Sequence, residues 1–443
     1  MPLITLAVAL GGLSCLNPGV QIQLTKDGLV HSMGNILPLI NAFVNGIQFE
    51  KDLTEDGLTL KEIKLHSEPV AGKQVNLNFH KATEEITLDL KDLQVTHSFS
   101  LEIQMWGTQA KGTGKISSFV TETNTSSTFR EPDVKDPRPY LDAKVGELKF
   151  KEDSIKVELD LKDVPAFILD FLNKILKQKV LKKIYAQTSL EVQKKLQETL
   201  QKVVQQKFQT AYEIPHTNAV VSTGIIRKPS VSDTELLFPL DGVFFQKSKG
   251  YTREVDPVAF APSQLKKSVA INVSETSVEY LLKALNGYEY DFQYSVLSCT
   301  IVMKSDNPKF TITPELYSVK DFKFDILTQI VLFDTVLSIT ADASFTMSPV
   351  IYSCKCVMIT FKTFSITNIT TKSSIPLFDK LKNIIKRKIE TNVLGAPDTP
   401  IEIVLLPPEL EFRSLEVKGQ DHLLLTQANF KLGQKNEISL EQL

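Results

Sequence analysis

The residues of this 443-residue chain that could do chemistry are sparse or scattered. Its six histidines, His31, His66, His80, His97, His216 and His422, lack the close spacing that lets imidazoles share a metal ion. No Gly-x-Ser-x-Gly turn is present to raise a nucleophilic serine above a strand end. Gly107 to Gly112 has the gap of a phosphate-binding loop. Thr113, however, stands where a lysine must reach the phosphates, and a strand pattern follows where a helix must start, so the run reads as a turn. Carboxylates are plentiful but form no recognisable acid–base pair. These patterns predict no enzyme, no catalytic residue, no metal site and no cofactor. Of the four cysteines, Cys354 and Cys356 are two apart on one strand face, where bonding to each other is strained. Either could pair with Cys299, leaving one free thiol, and Cys-x-Cys with one distant cysteine lacks a fourth zinc ligand.

Charge and aromatic placement offer binding chemistry instead. Lys174, Lys177, Lys179, Lys182 and Lys183 lie beside the apolar face of a long helical pattern. They would either hold anionic lipid headgroups, at about 1 kcal/mol each near an anionic surface, or form a solvated helix face. Lys380, Lys382, Lys386, Arg387 and Lys388 pose the same alternative, and cations are favoured in a helix's last turns in any case. Trp106, the sole tryptophan, ends a strand, where its indole either meets a membrane interface or packs.

The elements that must position these residues follow from periodicity. Leu29, Met33, Ile36, Leu37, Ile40, Phe43, Val44 and Ile47 recur at three-and-four spacing, predicting an amphipathic helix from about Thr25 to Ile47 with a kink at Pro38. From Leu58 to Leu161 the period becomes two, as in Val75, Leu77 and Phe79 or Phe99, Leu101 and Ile103, predicting half-buried antiparallel strands. Asp163 as cap and Pro165 in the first turn open one very long helix, or two in tandem, through Phe167, Ile168, Phe171, Leu172 and Ile175 to about Tyr212. Residues 213–262, with five prolines, read as an extended connection. The order then restarts. A capping box of Thr276 and Glu279 opens a helix through Val278, Leu281, Leu282 and Leu285, strands run from Tyr288 to about Thr371, and a helix through Leu381, Ile384 and Ile385 runs from Pro376 to Gly395. A strand pair covers Ile401 to Leu432. Helix, strands, helix therefore occurs twice, an architectural duplication.

Length favours two domains of about 200 residues over one core. Hydrophobic residues at 42% and charged residues at 23% predict a folded chain. Met1 to Leu16 is the only long uncharged apolar run, which excludes an internal membrane span, and a net charge of −2 excludes a dedicated nucleic-acid binder. Residues 1–15 read as a secretory leader cleaved near Ser14 or Cys15, without the usual Lys or Arg at its start. Three sequons, Asn124, Asn272 and Asn368, agree with a secreted, extracellular or lumenal glycoprotein.

The stretch Leu16-Asn17-Pro18-Gly19-Val20, then Gln21-Ile22-Gln23-Leu24 and Lys26-Asp27-Gly28-Leu29, resembles the mature start of the lipid-transfer and lipopolysaccharide-binding protein family. Segments Thr234 to Phe245, Pro257 to Pro262, Ser277 to Leu282 and His422 to Phe430 resemble that family's segments in the same order. The family includes bactericidal/permeability-increasing protein and the phospholipid and cholesteryl ester transfer proteins. The resemblance implies an α+β fold: two elongated antiparallel β-barrels, each flanked by two amphipathic helices, joined in a boomerang by a central sheet. It assigns residues 16–228 to an N-terminal lipid-binding barrel, 229–262 to the connection and central sheet, and 263–443 to a C-terminal barrel. It implies a ligand, phospholipid or lipopolysaccharide, held for carriage or transfer or recognised in antibacterial innate immunity, by a monomer touching membrane surfaces peripherally. The lipid-binding residues expected are Ile36, Leu37, Ile40, Phe43, Val44, Ile168, Phe171, Leu172, Ile175, Val278, Leu281, Leu282, Leu285, Ile384 and Ile385. Two features depart from the family. The N-terminal half has no cysteine after Cys15 for the usual disulfide, and residues 16–228 hold 28 Lys plus Arg against 27 Asp plus Glu, unlike the basic half of bactericidal members.

Overall fold

Alternation of apolar and polar side chains builds most of this chain into curled antiparallel sheets. The structure is a computed structural model. It describes residues 16–432 except 31–40, 42–43, 106, 134, 147, 163, 215–216, 261–266, 295–296, 331–332, 352–355, 374–382, 384–385, 388–389, 392–399, 403–409 and 421. An eight-stranded N-terminal sheet is organised around the long hairpin of Glu85–Met105 and Thr108–Phe129. Along the first of these strands Leu93, Val95, His97, Phe99, Leu101, Ile103 and Met105 point inward and polar residues point out. A seven-stranded C-terminal sheet is built the same way around Tyr317–Ile330, Phe333–Ile351 and Cys356–Ser373. Register shifts bend both sheets, and left-handed residues sit at them: Glu62 in one, Asp321 and Asn368 in the other. Asp342 holds the second pair together, accepting from Asp321 N at 3.0 Å and Asn368 Nδ2 at 2.7 Å.

The expected long helix is one continuous run with an insertion. Helix α1 (Ala166–Ile175) passes through a π turn, Leu176–Val180, into α2 (Leu181–Lys207). The wider turn re-phases the apolar stripe. Ile168, Leu172, Ile175, Leu176, Val180, Leu181 and Ile184 all stay on the sheet, against Leu60, Ile63, Phe99, Leu101 and Ile116. The run ends at Lys207 rather than Tyr212, and Pro165 stands at the cap position; Asp163 lies outside the described residues.

The connection is more ordered than its prolines suggest. It supplies Ala219–Ser222 and Phe244–Gln246 to a three-stranded sheet. It also supplies Ser230–Val231 and Glu235–Leu240 to a six-stranded central sheet, whose order continues Val20–Thr25, Val269–Ser274, Leu423–Leu432 and Leu410–Gln420. The first and last strands among the described residues therefore share one sheet. Pro239 is tolerated there because Ser230–Val231 pairs only with Leu236 and Leu237, so the proline is asked for no N–H, while its carbonyl accepts from Ile226 N at 3.1 Å.

Several expectations need correction. The cap of helix α3 (Glu275–Ala284) is Ser274, which accepts from Ser277 N at 3.1 Å. Thr276 and Glu279 form no capping box; Glu279 reaches across to accept from Phe310 N at 2.9 Å, and Glu275 accepts from Ile312 N at 3.2 Å, so two carboxylates satisfy a strand edge. Pro400–Glu402 pairs with the C-terminal sheet rather than with the final hairpin. Cys299 lies level with Thr335 and Cys356 beyond Ile351, near opposite ends of the strand Phe333–Ile351, so these two are out of disulfide reach; Cys354 lies outside the described residues. The Asn272 sequon is fully buried in the central sheet and closed to a glycan, whereas Asn124 and Asn368 are exposed. The first helix is described only at residues 26–30, 41 and 44–45, and Trp106 lies outside the described residues.

Candidate functional site

The central sheet has its two faces the wrong way round for water. On one face, register places Leu240, Val20, Val273 and Leu424 in a row across four strands. Phe238, Ile22, Ile271 and Thr426 form the next row, and Leu236, Leu24, Val269 and Ala428 the third. On the other face stand Gln21, Gln23, Ala270, Asn272, Leu425 and Gln427. That face, which also carries Leu237 and Pro239, is sealed at Gln23, Asn272 and Gln427, between 0% and 6% exposed, and half open at Gln21 and Leu237. The apolar face is half open at Val20, Ile22, Leu24, Phe238, Val269, Ile271, Val273 and Leu424. A sheet normally hides its aliphatic face and wets its amides, so this arrangement leaves an apolar surface half open where a polar one is the rule.

The face is anchored at both ends. On one side Leu24 and Phe238 join a cluster of Phe79, Phe129, Val231 and Leu236, with Phe129 and Phe238 edge to face at 5.4 Å between ring centroids. On the other, Leu424 joins Phe310, Ile312, Tyr317 and Val319, on which Val278 and Leu282 of α3 also pack. The strand Val20–Thr25 is pinned at its start by a buried cation. The Arg253 guanidinium donates to Asp241 at 2.5 Å, to Asp256 at 2.6 Å and to the Asn17 carbonyl, and Asn17 N donates back to Asp256.

The residues expected from sequence divide into three groups. Ile168, Leu172 and Ile175 are sealed in the helix–sheet core, filled by side chains. Val44, Phe171, Val278, Leu281, Leu282 and Leu285 are half buried. Ile36, Leu37, Ile40, Phe43, Ile384 and Ile385 lie outside the described residues. The central-sheet face itself was missed. Its alternation was legible in Val-Gln-Ile-Gln-Leu, but nothing in a period of two says which face a fold will seal.

The lysine cluster is partly spent. Lys179 pairs with Asp56 at 2.7 Å, which raises its pKa, and Lys183 pairs with Glu55, while Lys174, Lys177 and Lys182 form no ion pair among the described residues. Of the C-terminal cluster, Lys386 pairs with Glu390 at 3.9 Å. A cleft of 570 Å³ on the N-terminal sheet sets Lys64 and Lys115 beside Glu62, Glu158 and Asp160, a mixed-charge lining unsuited to an acyl chain. No group of three or more potential metal ligands occurs among the described residues, and no helix there is long and apolar enough to cross a membrane.

No protein-family model matches the sequence, and no curated protein does. Among solved structures, the fold is that of a lipopolysaccharide binding protein: the two align over 95% of this chain and 100% of that one, with a TM-score of 0.53 at 13% identity. The resemblance found in sequence thus holds at the level of fold. A partial likeness to Takeout 1 of Epiphyas postvittana covers 40% of this chain and 93% of that one, with a TM-score of 0.25 at 15% identity.

Proposed function

We propose that this chain is a secreted lipid carrier whose central-sheet face receives acyl chains, with phospholipid as the ligand class. The half-open apolar face laid over the sealed amides of Gln23, Asn272 and Gln427 carries the reading; the fold shared with lipopolysaccharide binding protein supports it. The half-buried Val44, Phe171, Val278, Leu281, Leu282 and Leu285 extend the surface toward the helices, and the two curled sheets become the two barrels of a boomerang, divided at 16–228, 229–262 and 263–443. The protein acts as a monomer that touches membranes only to exchange its cargo. Each methylene removed from water is worth about 0.8 kcal/mol, so a sixteen-carbon chain gains on the order of 10 kcal/mol before ordering costs. Release into water is then slow, and exchange needs an acceptor surface.

Native mass spectrometry after gentle purification tests the reading, with a co-purifying phospholipid as the expected result. Ile271→Asp, in the middle of the face, should lower bound lipid at least tenfold with an unchanged circular dichroism spectrum. A wild-type chain that arrives empty and stays empty beside phospholipid vesicles refutes it. Lipopolysaccharide recognition is the second reading, favoured by what the structural neighbour binds. The pairing of Lys179 and Lys183 with acids weighs against it, since fewer cations are left for a phosphorylated headgroup.

A further inference from the structure

His97 is fully enclosed on the inner face of Glu85–Met105, opposite α2. Its Nε2 lies 3.0 Å from Thr188 Oγ1. That hydroxyl has one hydrogen, already donated to the Ile184 carbonyl at 2.6 Å, so toward the imidazole it can only accept. Nε2 therefore carries the ring's hydrogen. Burial, helped by neighbouring His66, lowers the pKa to about 4 and keeps the ring neutral at pH 7. A neutral ring protonated at Nε2 exposes a bare lone pair at Nδ1.

That lone pair has no partner among the described residues, and neither do two hydroxyls nearby, Ser118 Oγ and Tyr185 OH, all three shut off from solvent. Ser118 stands diagonal to His97 on the adjacent strand, the Tyr185 ring centroid is 6.2 Å from the imidazole, and the Tyr185 hydroxyl lies beside Ser118. The apolar clusters on either side, with Phe99 and Ile116 in one and Leu65 and Val95 in the other, supply no donor. A carboxylate could not donate to Nδ1, and an ammonium could not accept from Ser118 or Tyr185. A hydroxyl does both.

We propose that this seam between α2 and the N-terminal sheet is a binding site for one O–H group, which donates to His97 Nδ1 and is borne either by a buried water or by the polar end of a single-chain lipid. The seam is built from other strands than the central-sheet face, and its test stands whether or not that face holds lipid. Protein labelled with 15N in its histidine rings, examined at pH 7 by long-range 15N–1H correlation, reports both nitrogens of His97. The signals are assigned by their loss in His97→Gln or, if that variant does not fold, by their displacement in Thr188→Ser, which keeps the hydroxyl. The expected result is an Nε2–H tautomer with Nδ1 shifted upfield of a free pyridine-type nitrogen. Dodecanol and dodecyl methyl ether then separate the sources. An Nδ1 signal that moves with the alcohol and not with the ether assigns a lipid hydroxyl. One already hydrogen-bonded, indifferent to both probes and showing a water-to-ring Overhauser effect, assigns a water. An Nδ1–H tautomer, or an Nδ1 at the free position under every condition, overturns the proposal.

Discussion

A single buried imidazole links the interior of the N-terminal sheet to pH. The folded-state pKa of His97 is lowered to about 4 from an ordinary 6.5, so as pH falls the unfolded chain takes up its proton first. Stability from this group is complete above about pH 6.5 and is lost as pH falls toward 4, by at most about 3 kcal/mol at 1.36 kcal/mol per unit. Urea unfolding from pH 7 to 4 should show wild type losing that much more than His97→Phe, which has no ring to protonate; parallel curves would mean the imidazole is not sealed in the fold. Arg253 is a second residue whose burial sets its weight. Its side chain is 8% exposed and that of Asp241 is 5% exposed. Arg253→Met strands a buried carboxylate, and breaking such a pair costs about 3–5 kcal/mol, measurable by denaturant midpoint. Lys179→Met breaks an exposed pair and should leave the midpoint nearly unmoved.

At the scale of elements, the helix over the N-terminal sheet shows what burial does along one stripe. Leu172 is completely buried among Leu60, Ile63 and Phe99, so Leu172→Ala should cost about 2–5 kcal/mol. Phe167, next to Ile168 at the stripe's start but turned away from the sheet and 66% exposed, should change stability by no more than about 0.5 kcal/mol as Phe167→Ala. If thermal unfolding moves equally for both, the helix does not dock as described. The stripe itself was legible because its apolar spacing is local. The π turn was not, since a one-residue widening at Leu176–Val180 answers to the sheet beneath and leaves no mark in composition. The same divide explains α3. Ser274, Thr276 and Glu279 all carry capping chemistry, and the choice of Ser274 was made by Phe310 and Ile312, whose N–H groups draw Glu279 and Glu275 away from the helix end. In the connection, prolines concealed strands that exist only because Val20–Thr25 arrives from elsewhere in the chain to pair with Glu235–Leu240. Of the candidate site, the half-buried helix positions were readable from period, whereas the open face of the central sheet depended on which side the fold sealed.

At the scale of the molecule, helix-strand order repeats on either side of the connection, yet the central sheet draws strands from both halves and offers one face to both apolar clusters. If the face receives lipid as proposed, whether it holds two lipids or one is a question of packing between its ends. Phe238 lies at the end bearing Phe79 and Phe129, and Leu282 at the end bearing Phe310 and Tyr317. Sites that share no side chains act independently, so damage at one end should spare the other. Phe238→Asp and Leu282→Asp each set an unpaired carboxylate against apolar surface, a penalty of several kcal/mol to any acyl chain laid there. Both positions are half buried, so the fold can survive the change, and a wild-type circular dichroism spectrum must be shown for each. Lipid stoichiometry by native mass spectrometry should then fall from two to one in either variant and to none in the double variant. If one folded variant loses all its lipid, the two ends do not act separately, and a single ligand spans the sheet from the Phe238 cluster to the Leu282 cluster.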